Sequence, residues 1–170
     1  MATSAPPLPP PLVPLHVFRF HVDFFTDSLT SGASNTQFQV CTGAFAECTG
    51  LEATMEPKTI KEGGRNYGTA QRAGGTTFAT VVLKRGISRN QNLYQLFNTM
   101  TAGNFAPRMQ VTINVYDING AATMAWTLVR AMPVKYKFAD LNSKNGEIGI
   151  EELHLVHEGL WSNSPSKPKL

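Results

Sequence analysis

The sequence predicts a mostly β fold, an antiparallel sandwich or barrel with one flanking α-helix. Three observations carry this expectation. Met109, Val111, Ile113 and Val115 alternate with polar residues up to an Asn119-Gly120 dipeptide, and apolar residues resume at Met124. Phe18, Phe20, Val22 and Phe24 alternate in the same way with Arg19, His21 and Asp23. Only one segment has helical spacing, with Leu93, Leu96, Phe97 and Met100 at i, i+3, i+4 and i+7.

The 170 residues suit a single domain large enough to bury a core, and 42% hydrophobic residues exclude a disordered chain. No apolar run approaches the roughly 20 residues that a membrane-spanning helix needs. Charged residues are 16% of the chain and the net charge is +3. They are dispersed, without the concentrated basic footprint of nucleic-acid binding, so no nucleic-acid partner is read from them. A low charge fraction suits a surface covered in an assembly, because interface cores are depleted of charge.

Residues 1–14 hold six of the eleven prolines, with the run Leu8-Pro9-Pro10-Pro11-Leu12 at their centre. The expectation is an extended polyproline arm without a core. With no basic n-region before it, a Sec-type signal is not expected, which implies cytoplasmic synthesis and assembly. The organisation is then an arm over 1–14, a β domain over 15–161 and a polar tail over 162–170.

Within the domain, the strand around Phe18 to Phe24 is followed by a polar excursion over 26–42. Gln37 to Thr42 is expected to form a short strand inside it. Ala44 to Glu56 reads as extended, split by Gly50 and bent at Pro57. Lys58 to Gly75 reads as a long irregular loop with five glycines, the kind of segment that orders on a partner. Thr76 to Lys84 returns to strand composition, closed by Arg85-Gly86. The helix follows, with Ser88 and Gln91 placed as a capping box and Gly103 as its stop.

The Asn119-Gly120 turn allows the register to be written in advance. A two-residue type I′ loop there places Val115 opposite Met124, Ile113 opposite Trp126 and Val111 opposite Leu128. Thr112 then faces Thr127 on the other side. A one-residue slip would destroy this match. Burying these six apolar side chains contributes on the order of 10 kcal/mol before chain entropy is counted. Beyond Pro133, Val134, Tyr136 and Phe138 alternate with Lys135 and Lys137. In the last segment Ile148 and Ile150 hold one parity and Leu153 and Leu155 the other, which predicts a β-bulge at Glu151-Glu152.

Candidate chemistry is sparse. His154 and His157 lie three apart and would point to opposite faces of a strand, so they do not make a metal pair. Glu151 and Glu152 diverge for the same reason. The segment Lys61-Glu62-Gly63-Gly64-Arg65-Asn66 lacks either phosphate-loop pattern. Cys41 and Cys48 have no zinc or redox spacing and are expected to be reduced structural thiols. No catalytic residue, cofactor or metal is therefore expected. A β-barrel enzyme or small-ligand binder is the remote alternative to a structural protein.

Four stretches together carry a resemblance. They are Thr49-Gly50-Leu51-Glu52, Glu62-Gly63-Gly64-Arg65-Asn66, Leu83-Lys84-Arg85-Gly86, and a terminal block from Trp126 to Leu160. In that block Trp126, Ala131, Pro133 and Lys135 are followed by Leu141, Asn142, Glu147, Ile150, Glu151, Leu153, Leu155 and His157-Glu158-Gly159-Leu160. The chain thus resembles the inner-tube proteins of contractile phage tails and related extracellular contractile injection systems.

The resemblance implies packed antiparallel sheets with one flanking helix, and hexameric rings stacked into a hollow tube inside a contractile sheath. It implies that the chain's partners are further copies of itself, the sheath, baseplate or spike proteins and a terminator cap. Protein cargo would occupy the lumen, or DNA would pass through it if the particle is a phage tail. It places inter-ring contact in the loop carrying Lys58, Lys61, Glu62, Gly63, Gly64, Arg65, Asn66 and Arg72. The charged end at His157 and Glu158 is expected to meet a neighbouring subunit. The long residues 1–14 and 26–42 leave a tube-initiator or adaptor ring at the baseplate as the alternative within the family.

Overall fold

The computed structural model describes residues 17–27, 37–38, 45–61, 63–64, 66–102, 108–141, 146 and 148–163. In chain order its strands are β1 (Phe20–Asp27), β2 (Gln37–Phe38), β3 (Glu47–Thr49), β4 (Ala53–Met55), β5 (Lys58–Ile60), β6 (Ala70–Arg72), β7 (Thr76–Phe78) and β8 (Val81–Gly86). Helix α1 (Asn92–Ala102) follows, then β9 (Arg108–Tyr116), β10 (Ala122–Lys137), β11 (Ile150–Val156) and β12 (Gly159–Asn163). Eight of the strands form one antiparallel sheet in the order β2-β1-β9-β10-β11-β8-β3, with β12 also on β10.

The sixteen-residue β10 is the spine. Its first part pairs with β9 on one edge and β12 on the other, and its last part pairs with β11. Two irregularities bend it between these parts. Opposite β9 the register shifts between Leu128 and Ala131, where Arg130 adopts a left-handed φ of 52°. Opposite β11 it shifts between Pro133 and Lys135. A strand that changes partners along its length lets one sheet fold over its own core. That core gathers Val22 and Phe24 of β1, Val81 and Leu83 of β8, and Met109, Val111 and Ile113 of β9. Leu128 of β10 and Leu153 and Leu155 of β11 complete the sheet contribution. Helix α1 closes it with Leu93, Leu96 and Met100, three of the four residues that its spacing singled out, while Phe97 is partly buried against them.

The predicted hairpin register is present pair for pair: Met124 with Val115, Trp126 with Ile113, Thr127 with Thr112 and Leu128 with Val111. Its turn differs. Asp117 N–H donates to Ala121 O and Gly120 N–H to Asp117 O, and only Gly120 is left-handed (φ 84°). This is a type I turn with a glycine bulge rather than a type I′ turn. The Asp117 carboxylate accepts from the N–H groups of Asn119 (2.8 Å) and Ala121 (2.9 Å), which favours this form. These bonds, that of Ala121 first, hold its pKa below the usual carboxylate value. The one-residue offset is absorbed by a register shift between Ala122 and Met124, and the downstream pairs survive.

Other expectations need correction. There is no bulge at Glu151-Glu152: β11 runs against β8 without a shift from Ile150–Gly86 to Leu155–Val81. Glu151, Leu153 and Leu155 share the buried face, and Ile148 and Ile150 are exposed. The strand keeps one alternation throughout, with Glu151 as its first inward residue, so no bulge is needed. Val134 is also exposed, because the shift beside Pro133 turns it outward. The capping box is replaced by Asn90, whose Oδ1 accepts from Asn92 N–H at 3.2 Å, while Ser88 Oγ serves Asn90 N–H. Gly103 and most of the excursion lie outside the described residues. Within the latter, Gln37 and Phe38 form β2 against Phe25 and Phe24.

Candidate assembly surfaces

The stretch read as an irregular loop is a projecting β-hairpin arm. β4 pairs with β7 and β5 with β6, bringing Ala53 opposite Phe78, Met55 opposite Thr76, Lys58 opposite Arg72 and Ile60 opposite Ala70. The register changes by one residue across Pro57, where Gly74 comes so close to Glu56 O that a Cβ would lie 1.9 Å from it. The arm leaves the body at Gly50, in the Thr49-Gly50-Leu51-Glu52 motif. Gly50 has φ 84°, and a Cβ there would meet Thr80 O at 2.1 Å. Only glycine satisfies both the backbone sign and the close approach.

The arm buries almost nothing in the subunit. Met55 and Ile60 are exposed, and Tyr67 near its tip is 96% exposed. Lys58, Lys61, Gly63, Gly64, Asn66 and Arg72 are likewise exposed, with Gly63 and Gly64 forming a turn. Glu62 and Arg65 lie outside the described residues. The structure therefore brings the described members of the predicted contact set together on one outlying ribbon.

His157 and Glu158 lie where β11 gives way to β12, facing the bend in β10. Glu158 N–H donates to Val129 O at 3.0 Å. Its carboxylate lies 2.7 Å from Arg130 Nε and 3.8 Å from Arg108 Nε, an ion-pair contact that ties β9 and β10 to the break. The Arg130 Nε–H is not aligned for a hydrogen bond, so the attraction is chiefly Coulombic. His157 turns inward, its ring 5.2 Å from that of Phe78 and its Nδ1 3.0 Å from Gly159 O. Burial holds its pKa below the usual histidine value. Within the subunit this pair fixes the bend, and half-exposed Glu158 remains open to a neighbour.

Sequence reasoning missed the buried ion pair. Arg85 Nε donates to Glu151 Oε1, Tyr136 Oη donates to Glu151 Oε2, and an Arg85 Nη donates to Asn90 O at 3.2 Å. Arg85 and Glu151 are 5% and 7% exposed. The network joins β8, β10 and β11 to the turn before α1. It thereby links Arg85 of the Leu83-Lys84-Arg85-Gly86 motif to Glu151 of the terminal block. The available signal was a glutamate on the parity of Leu153 and Leu155.

Two further surfaces stand out among the described residues. Beside α1, the rings of Tyr94, Tyr136 and Phe138 stand 4.8 to 5.7 Å apart and line a groove of about 300 Å³. Half-exposed Ile87 lines it as well. At the sheet's margin β12 pairs only with β10 among the described residues, and its Trp161 is 63% exposed. Among the described residues no cluster of three or more metal-ligating side chains forms. Burial pushes the Cys48 thiol up to about 11, leaving little reactive thiolate at neutral pH, and Cys41 lies outside the described residues.

These features define a β subunit whose described residues carry open strand edges and exposed apolar side chains. The chain belongs to the tail-tube protein family: the family model described as T4-like virus tail tube protein gp19 matches residues 16–161. It is thus a tail-tube protein, a component of a phage tail or a related contractile injection particle.

Solved structures share the fold. A chain of the anti-feeding prophage (AFP) baseplate, 6-fold symmetrised, is 23% identical with a TM-score of 0.71, the alignment covering 94% of this chain and 100% of that one. A chain of the PVC extracellular contractile injection system sheath-tube complex in the extended state is 18% identical with a TM-score of 0.71, over 89% of this chain and 92% of that one. A chain of the AFP tube-terminating cap is 16% identical with a TM-score of 0.72, over 96% and 99%. No curated protein matches the chain.

Proposed function

We propose that copies of this chain close into hexameric rings and that the rings stack into the rigid inner tube of a contractile injection machine. The observation that carries this is the hairpin arm from Ala53 to Phe78. It projects from a well-packed body with Met55, Ile60 and Tyr67 exposed, and another subunit would cover them. Lys58, Lys61, Glu62, Gly63, Gly64, Arg65, Asn66 and Arg72 supply the inter-ring contact. The edge of β12, unpaired among the described residues, extends the sheet into the next subunit of the ring, with Glu158 at that junction. A head-to-tail contact whose rotation closes gives rings, and repeated axial contacts give a filament. Stiffness then comes from many repeated contacts, and no catalytic step is required.

The partners that fit are further copies of the chain, a sheath around the tube, baseplate or spike proteins at one end and a cap at the other. Structures with the same fold come from sheath-tube, baseplate and cap assemblies, which supports this set. The lumen would take protein cargo, or DNA in a phage tail. An initiator ring at the baseplate is the second reading, favoured by the long proline-rich residues 1–14. Negative-stain electron microscopy of the purified chain at rising concentration tests the proposal. Rings or tubes are expected, many rings per particle for the main tube and one for an initiator. A protein that stays monomeric, and adds neither to a baseplate nor to a preformed tube, would contradict it.

A further inference from the structure

We propose that Lys58 and Arg72 on the hairpin arm dock on Glu52 and Glu56 at the root of the arm of a second copy, in the adjacent ring. The adjacent ring rests on the stacking reading above; the contact between copies does not.

The arm sets like charges against each other. Lys58 lies directly opposite Arg72 across β5 and β6, and both are exposed. Like charges in that position destabilise an isolated ribbon. Ile60 and Ala70, two residues on, continue the same face. The other face is satisfied within the ribbon, where Thr59 Oγ1 donates to Gln71 Oε1 at 3.3 Å. The charged face is the one that calls for an anion.

Nearer the body the sign reverses. Ala79 N–H donates to Glu52 O at 3.1 Å, which carries the β4–β7 ladder back to the root. Glu52 and Glu56 are exposed and share the parity of Thr54, whose Oγ1 donates to Glu52 Oε1 at 3.4 Å. Among the described residues neither carboxylate has a cation within ion-pair distance and neither Lys58 nor Arg72 has an anion, although Glu56 is only two residues from Lys58.

The described part of the body offers no such carboxylate. Glu47, Asp140, Glu151 and Glu158 are each held by a lysine or arginine of the same subunit. Asp23 and Glu152 lie beside His21 and His154, and Asp117 is taken by the N–H groups of its turn. Glu52 and Glu56 are left to answer Lys58 and Arg72. Across two copies the basic middle of one arm meets the acidic root of the next. Such a contact is head-to-tail, so it repeats from copy to copy.

Two charge reversals test it. Lys58→Glu with Arg72→Glu makes all four positions acidic, and Glu52→Lys with Glu56→Lys makes all four basic. The sites are exposed, so melting temperatures should stay within a few degrees of the parent. Either pair alone should lower the yield of stacked tubes in negative-stain images about tenfold, and the fourfold exchange in one chain should restore it. Parental stacking by either pair, or a fourfold exchange that stacks no better than the pairs, would overturn the proposal. Carbodiimide coupling of the parent, mixed from isotopically heavy and light copies, reads the contact itself by mass spectrometry. Lys58 joined to Glu52 or Glu56 of the other isotope class is expected. Lys58 joined only within its own copy, or to other carboxylates of a neighbour, would overturn the proposal. Tubes without the link overturn this inference alone. The link between copies that form no rings supports the contact and contradicts the tube.

Discussion

The body of this protein buries charge, whereas its arm exposes apolar side chains. In the body Arg85 and Glu151 are withdrawn from water and held by each other, by Tyr136 and by Asn90 O. In the arm Met55, Ile60 and Tyr67 stand in solvent on strands that contribute no side chain to the core cluster. A lone subunit depends on the first arrangement staying intact and not on the second. The difference teaches that the two regions answer to different partners: the body's core is packed within the subunit, and the arm completes a contact elsewhere.

The sharpest way to break this contrast is at the buried pair. Glu151→Ala leaves the Arg85 guanidinium buried without its countercharge and Tyr136 Oη without its acceptor. A loss of about 3–5 kcal/mol is expected in denaturant unfolding, with soluble yield falling accordingly. Replacing Glu151 and Arg85 together with apolar residues of similar size should recover much of it. Next in size is the arm's root. Gly50→Ala puts a side chain into left-handed backbone and onto Thr80 O, which should cost about 1–3 kcal/mol. Its unfolding transition should shift while the m-value holds, because the arm's origin is strained and the core is untouched.

A smaller effect is expected at the bend. The His157 pKa is depressed in the fold by burial, so folding favours the neutral ring. Its contribution is fully present above the unfolded pKa of about 6.5 and is lost as pH falls through the folded value. Between pH 7.5 and 5 the parent should lose slightly more thermal stability than His157→Gln, measured by circular dichroism. Equal losses would remove the assigned cause.

The sequence made the body more legible than the arm. Strict alternation in β9 and the first part of β10, together with Asn119-Gly120, left only one register that kept Val111, Ile113 and Val115 on one face. The turn type was not legible, because it depends on Asp117 capturing two backbone N–H groups. The burial of Glu151 was not legible because its partner lies 66 positions away and only tertiary structure joins them. The left-handed Arg130 leaves no trace in composition. The arm reads as an irregular segment and not as a hairpin, since Lys58-Thr59-Ile60 and Ala70-Gln71-Arg72 bury neither face and so show no alternation.

Removing Gly63 to Ala73 measures the central claim most directly, since it takes away the outer arm and leaves the body's core residues in place. Thermal unfolding and negative-stain images of the same preparations should be compared with the parent. The account predicts a melting temperature within a few degrees of the parent, because the deleted residues bury little. It also predicts single rings where the parent gives stacked tubes. Tubes of parental length from the shortened chain, or loss of the folded monomer itself, would contradict it.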